Sequence, residues 1–105
     1  MATKSETMTR LPNSVRVGPI TFTVREVDLI DDVPLRMGSF NSATGEILIK
    51  ASLPDDVKLV TFWHELVHSV LDMAGQKHNE RMIDALSHGL VALFEANEWR
   101  IETNG

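Results

Sequence analysis

The chain has 105 residues, 43% of them hydrophobic, which suffices for one small domain with a modest core. Its formal net charge is −5 and it carries no cluster of lysine and arginine. We therefore expect no nucleic-acid partner, because phosphate binding requires a basic face. The absence of cysteine excludes disulfides, cysteine-ligated zinc fingers and thiol catalysis.

The N-terminal segment predicts neither export nor membrane insertion. Residues Met1 to Thr9 are polar and lack the apolar segment of a signal peptide, and no apolar run in the chain is long enough to span a bilayer. We therefore expect a cytoplasmic protein with no membrane partner. Residues 1–13 are predicted to form a flexible N-terminal arm, and residues 14–105 a single domain.

Residues from about 15 to 50 are predicted to form a small antiparallel or mixed β-sheet. Apolar and polar residues alternate from Val15 to Val27, with Gly18-Pro19 as an interruption, which indicates one or two short strands. The turn-forming segment 41–45 separates a possible strand ending at Phe40 from the strand 46–50. This pair is predicted to form a β-hairpin.

Two long helices are predicted to follow, at about 54–74 and 80–98, so that the fold class is α+β. Ser52 is a candidate cap for the first helix, and Gly75 a candidate for its end. The first helix is apolar on most sides, which predicts that it lies at the centre of the domain. Asn79 is the expected N-cap of the second helix. The apolar stripe of the second helix is predicted to consist of Met82, Ile83, Leu86, Leu90, Leu93 and Phe94.

The first helix carries the sequence His64-Glu65-Leu66-Val67-His68, an H-E-x-x-H motif. His64 and His68 are four residues apart, so on a helix both imidazoles lie on one face and can share one Zn²⁺. Glu65 lies beside the first ligand and can act as a base without ligating the metal. The alternative is a pair of hydrogen-bonded core histidines. The metal site is favoured because polar groups buried on an apolar helix must be satisfied.

A catalytic zinc requires a third protein ligand, and the start of the second helix offers two carboxylates, Glu80 and Asp84. Glu80 is nearer the turn and has the longer side chain, so we predict that it is the ligand. Asp84 is predicted to accept the outer N–H of His64 or His68 and to fix its tautomer. His78 is the first alternative if neither carboxylate binds the metal.

The segment Phe62–Leu71 resembles the active-site helix of the zincin metallopeptidases. Asn79–Asp84 resembles the glutamate helix of the thermolysin-like gluzincins, and a similar spacing occurs in ImmA/IrrE-type metallopeptidases. The hairpin, the Ile47-Leu48-Ile49 strand and the segment Ala85–Leu90 also resemble short phage-type metallopeptidase-like proteins. The resemblance covers roughly residues 36–97. It implies a minimal zincin-like domain, with host cytoplasm as its location if the protein is phage-encoded.

The resemblance implies a zinc metallopeptidase that cleaves a protein or peptide substrate. Zn²⁺ would activate a water molecule, and Glu65 would take its proton and deliver it to the leaving amine. His78 or His88 could stabilise the oxyanion, as a histidine or tyrosine often does in such enzymes, although an inert surface histidine is the more common case. The strand Ile47-Leu48-Ile49 is predicted to be a free edge that pairs with the substrate. The alternative is an ordinary strand that is paired on both sides.

Two alternatives remain open. The protein could be a catalytically silent binding or inhibitor protein on a zincin scaffold, in which the zinc is only structural. Glu65 discriminates between the metallopeptidase and the binding protein. A structural zinc site does not need a general base, so the presence of Glu65 favours catalysis. The ImmA/IrrE resemblance also implies a possible helix-turn-helix repressor as the protein partner.

Overall fold

The computed structural model of the protein describes residues 11–98, which form a four-stranded mixed sheet packed against a layer of two helices. The elements are β1 (Ser14–Val17), β2 (Ile20–Val27), β3 (Gly38–Asn41), β4 (Glu46–Lys50), α1 (Asp55–Met73) and α2 (Glu80–Ala96). The predicted α+β fold class is confirmed. Neither of these two helices offers a stretch that is long and apolar enough to cross a membrane.

The alternating segment forms a tight hairpin, as its pattern predicts. β1 and β2 are antiparallel, with Val17 opposite Ile20. Gly18 adopts a φ of 59° in the connecting turn, a left-handed conformation that glycine reaches without steric cost. Leu11 packs into the hydrophobic core although the sequence assigned it to the N-terminal arm, so the ordered domain includes residues before 14. Residues 1–10 of the predicted arm lie outside the described residues.

The prediction that the strand Ile47-Leu48-Ile49 is a free edge is wrong. The sheet order is β1-β2-β4-β3, so β4 pairs with β2 in parallel and with β3 in antiparallel. Ile47 and Ile49 are fully buried, whereas β3 has the sequence Gly-Ser-Phe-Asn. The more apolar strand of the hairpin occupies the interior position because it gains more from burial on the sheet. β3 is the edge strand.

The predicted β3–β4 hairpin is confirmed, with β3 starting at Gly38. Asn41 stabilises its turn, because the side-chain Oδ1 accepts hydrogen bonds from the backbone N–H groups of Ala43 (2.9 Å) and Thr44 (3.2 Å). Gly45 follows with a φ of 69°. The sequence signal for this turn is therefore local and depends on residue types with known turn preferences.

The helix ends agree with the sequence except at one cap. α1 starts after Pro54 without any side-chain cap, so Ser52 does not cap it. The helix ends at Gly75 in a Schellman motif, in which Gln76 N–H donates to Leu71 O (2.9 Å) and Gly75 N–H to Asp72 O (3.1 Å). Asn79 caps α2 as predicted, since its side chain accepts from Met82 N–H.

The helix layer is less buried than the apolar pattern predicts. Val70 and Met73 of α1 are exposed, and the buried face of α2 consists of Ile83, Ser87 and Val91. Met82, Leu86 and Leu93, which the pattern assigned to the stripe, are exposed. The reason is that, among the described elements, α2 packs only on α1, so its outer side has nothing to cover it.

β3 crosses α1 so closely that only glycine fits at position 38. A Cβ at Gly38 would lie 2.6 Å from Thr61 Cγ2, 3.1 Å from Glu65 Cγ and 3.2 Å from Glu65 Oε2. These distances are below ordinary van der Waals contact, so either the strand or the helix would have to move.

Gly38→Ala is therefore expected to lower the free energy of unfolding by about 1–3 kcal/mol, the usual range for overpacking. Urea unfolding measures this. Gly89→Ala is the matched control, because a Cβ at Gly89 meets nothing within 4 Å. In the α2 interior that change should stabilise the protein by about 0.5–1 kcal/mol. Equal stability of Gly38→Ala and the wild type would contradict the close contact.

Candidate metal centre

The three residues of the H-E-x-x-H motif lie in the middle of α1, where one helical turn separates the two histidines. The ring centroids of His64 and His68 are 4.9 Å apart with an interplanar angle of 61°. The two side chains are only 22% and 12% exposed. The helix therefore presents two partly buried imidazoles on one face.

The start of α2 brings both predicted carboxylates to these imidazoles. Glu80 Oε1 lies 3.2 Å from His64 Nε2, and Glu80 Oε2 lies 3.0 Å from His68 Nε2. Asp84 Oδ1 lies 2.9 Å from His64 Nδ1, on the outer side of that ring. The carboxylate of Glu80 therefore joins the Nε2 atoms, while that of Asp84 contacts a different nitrogen.

His64, His68 and Glu80 form a donor set that fits a metal ion. One donor atom from each lies within 4.8 Å of the others. Donors at zinc-ligand distances around a tetrahedral ion are roughly 3.3–3.6 Å apart, close to the His–Glu spacings found here. A neutral imidazole has one N–H and one lone pair. If His64 donates its Nδ1–H to Asp84, its Nε2 lone pair faces the carboxylate of Glu80, which a cation between them would satisfy.

His78 lies behind His68 and does not line the cleft. Its Nδ1 is 2.7 Å from His68 Nδ1, a hydrogen bond in which one ring donates and the other accepts. Both rings are stacked near Phe40 of β3, with centroids at 5.8 Å for His68 and 6.4 Å for His78. This position suits the support of a ligating histidine, and it does not suit the predicted contact of His78 with an oxyanion.

His88 lies one turn beyond Asp84 on α2. Its Nδ1 is 2.9 Å from the backbone carbonyl oxygen of Asp84, so the ring is attached to its own helix. The side chain lines the second part of the cleft together with His64, Glu65 and Asp84, whereas Glu80 lines the first part. The structure therefore brings Asp84 into contact with His64, while His88 lines the cleft on the side of α2.

Glu65 is buried under β3, beside Gly38. Burial raises the pKa of Glu65 to about 7, because desolvation disfavours the charged form, and the charge of His64 partly opposes the rise. Burial also lowers the pKa of His68, against the opposing charge of Glu80. A carboxyl group with a pKa near neutrality and a histidine that favours the neutral form suit a base and a metal ligand.

The cleft beside these residues has two parts that share Gly38, His64 and Glu65. Their volumes are about 520 and 670 Å³, within the usual range for ligand sites. The first part is polar, and Asp31, Arg36, Ser39, Asn41, Thr44 and Glu46 are among its lining residues. The second is more apolar, with Met37, Val57, Val60, Val91 and Ala92 in its walls. Sequence reasoning missed Asp31, Arg36 and Ser39, since no local pattern links them to the motif.

The cost of burying Glu65 predicts a pH-dependent effect of Glu65→Gln on the metal-free protein. The pKa of Glu65 is about 7 in the folded state against an ordinary value of 4.5, so the folded protein binds this proton more tightly than the unfolded chain. The ionised form therefore destabilises the fold above pH 7, and this effect disappears as the pH falls towards 4.5. Glu65→Gln should stabilise the metal-free protein at pH 8 by up to about 3 kcal/mol.

Urea unfolding at pH 8, 6 and 4.5 in the presence of chelator measures this gain, which should shrink towards the acidic end. Asp72→Asn is the matched control, because Asp72 is an exposed carboxylate on the same helix. A gain for Glu65→Gln that is independent of pH would show that the burial of the charge is not its cause.

A comparison of the chain with protein-family models, with curated proteins and with solved structures found no match. The resemblance to the zincins therefore remains a prediction from the motifs. The arguments for a function come from the side-chain geometry of the described residues.

Proposed function

We propose that the protein is a zinc-dependent metallopeptidase that hydrolyses a peptide bond in a protein substrate. His64, His68 and Glu80 are the metal ligands, and Glu65 is the general base. The observation that carries this proposal is the convergence of both histidine Nε2 atoms on Glu80, with a buried carboxyl group beside them. Glu65 lies on the same helix as the two histidines but does not belong to the donor set.

When bound, zinc would supply a Lewis acid that polarises the scissile carbonyl and makes water a better nucleophile near neutral pH. Glu65 takes the proton from the attacking water and passes it to the leaving amine nitrogen. Asp84 and His78 hold the two imidazoles from their Nδ1 sides, so that the Nε2 lone pairs would be available to a metal ion. The burial of Glu65 keeps its pKa close to the value that suits a base and acid at neutral pH.

β3 replaces β4 as the strand proposed to pair with the substrate. Lys50 N–H donates to Met37 O, so these two residues form a hydrogen-bonded antiparallel pair. Alternation along the strand then directs the backbone N–H and C=O of Gly38 and Phe40 to the free edge. Both residues line the cleft, where an extended peptide could add to this edge.

The second candidate function is a binding protein on the same scaffold, with a structural metal. The exposed apolar side chains of Met82, Leu86 and Leu93 on α2 favour it, because a partner could cover them. The buried Glu65 favours catalysis, because a structural zinc site would not compensate the cost of burying it. A helix-turn-helix repressor remains the partner that the family resemblance implies.

The proposal predicts that the protein binds one zinc ion per chain and that Glu65→Gln retains the zinc but loses peptide cleavage. Glutamine cannot accept the proton, so the rate should fall by at least the 10²–10⁴-fold that general base catalysis contributes. Zinc content and the cleavage of a denatured-protein mixture, followed by mass spectrometry, measure the two effects. Asp72→Asn should cleave as the wild type does. Undiminished cleavage by Glu65→Gln would remove Glu65 from the mechanism.

The contacts around the histidines also predict a rank order of zinc affinities. Glu80→Gln removes a ligand and should weaken zinc binding more than Asp84→Asn or His78→Ala. Each of the latter changes removes a hydrogen-bond partner of a ligating ring, a loss that typically costs 10–100-fold. Competition with a chelator at fixed pH measures all three. If Asp84→Asn is the most damaging change, the roles of Glu80 and Asp84 are reversed.

A further inference from the structure

The proposed reaction develops a negative charge on the carbonyl oxygen of the substrate, and a protein donor beside that oxygen would lower the barrier. The chain contains no tyrosine. His78 is hydrogen-bonded to His68 behind the donor set. His88 lines the second part of the cleft, but its Nδ1 bonds to the carbonyl oxygen of Asp84, so a neutral ring donates there and presents Nε2 as an acceptor. Among the described residues that line either part of the cleft, Arg36 alone carries a permanent positive charge.

Arg36 reaches the cleft from the loop between β2 and β3. It lines the same part of the cleft as His64, Glu65, His68 and Glu80. It is two residues from Gly38, where an added Cβ would lie 3.1 Å from Glu65 Cγ.

The loop that carries Arg36 is anchored at several points. Ile30 is fully buried, Val33 N–H donates to Ile30 O (2.9 Å), and Arg36 N–H donates to Val33 O (3.1 Å). Lys50 Nζ donates to the carbonyl oxygen of Pro34. The guanidinium itself is held by Asp31, with 2.8 Å between Nη1 and Oδ2. One carboxylate occupies only part of a fork of five donors, so other N–H groups remain for a ligand.

We propose that Arg36 is a catalytic residue of the proposed peptidase and that it stabilises the oxyanion of the tetrahedral intermediate from the β3 side of the cleft. This inference rests on the proposed function. A ligand that carries a tetrahedral anionic group flanked by peptide groups should therefore bind beside Arg36. The Arg36 side chain is 48% exposed, so a substrate can reach it without displacing any wall of the cleft.

The test compares Arg36→Gln, Arg36→Lys and the control Arg16→Gln, all loaded with zinc. Arg16 lies on β1, at the opposite edge of the sheet from β3. The first probe is N-phosphoryl-leucyl-phenylalanine amide, whose phosphoryl group is a tetrahedral anion. The second is N-acetyl-leucyl-phenylalanine amide, in which an uncharged acetyl group replaces the phosphoryl group. The apolar side chains are chosen for the apolar part of the cleft. Calorimetry gives the two affinities, and kcat and KM are measured on a peptide that the wild type cleaves.

Arg36→Gln is expected to retain zinc, to lose about 10²–10³-fold in kcat with little change in KM, and to lose phosphoryl-peptide affinity by a comparable factor. Arg36→Lys should recover part of both losses, because it keeps the charge without the planar fork. Arg16→Gln should match the wild type in kcat, KM and both affinities.

Three results would overturn the assignment. If Arg36→Gln keeps wild-type kcat and phosphoryl-peptide affinity while the wild type cleaves peptides, Arg36 has no such role and the proposed function stands. If it loses affinity for the acetyl peptide as much as for the phosphoryl peptide, Arg36 binds the ground state instead of the oxyanion. If the wild type neither cleaves any peptide nor binds the phosphoryl probe, the proposed function fails, and the role of Arg36 fails with it.

Discussion

The close packing of α2 on α1 is the constraint on which the candidate site depends. Ser87 is fully buried at this contact, and its hydroxyl donates to Ile83 O (2.7 Å), so the small side chain brings no unpaired polar group into the interface. Glu80, Asp84, Ser87 and Val91 follow one another at spacings of three or four residues and therefore lie on one face of α2. The packing that buries Ser87 and Val91 thus also presents Glu80 and Asp84 to the histidines of α1.

The second constraint is the burial of Glu65 under β3, which opposes stability. An ionised carboxylate loses hydration there, and its pKa rises for that reason. The absence of a side chain at Gly38 lets the strand approach the helix closely enough to cover it. Sites that need a perturbed proton affinity commonly carry such a cost, which the rest of the core must offset. The core formed by Phe22, Ile47, Ile49 and Phe62 lies on the same side of α1 as the sheet.

Short-range signals in the sequence were sufficient to predict most of the elements and the close approach of the candidate metal-binding side chains. The alternation before residue 28, the turn at Asn41, the Asn79 cap and the Schellman end at Gly75 each depend on neighbouring residues, and each is present in the structure. The same holds for His64 and His68, because two residues four apart on a helix lie on the same face. The convergence of Glu80 and Asp84 on them followed from the short connection between the two helices.

Tertiary structure decided which strand is the edge, where the remaining polar residues lie and how much of each helix is covered. By itself, the sequence determined an α+β chain with an H-E-x-x-H helix followed by a helix that starts with glutamate. It did not determine that β4 lies between β2 and β3, because a strand's partners depend on residues far away in the chain. The places of Arg36 in the cleft and of His78 behind His68 likewise depend on long-range packing, which no local spacing encodes.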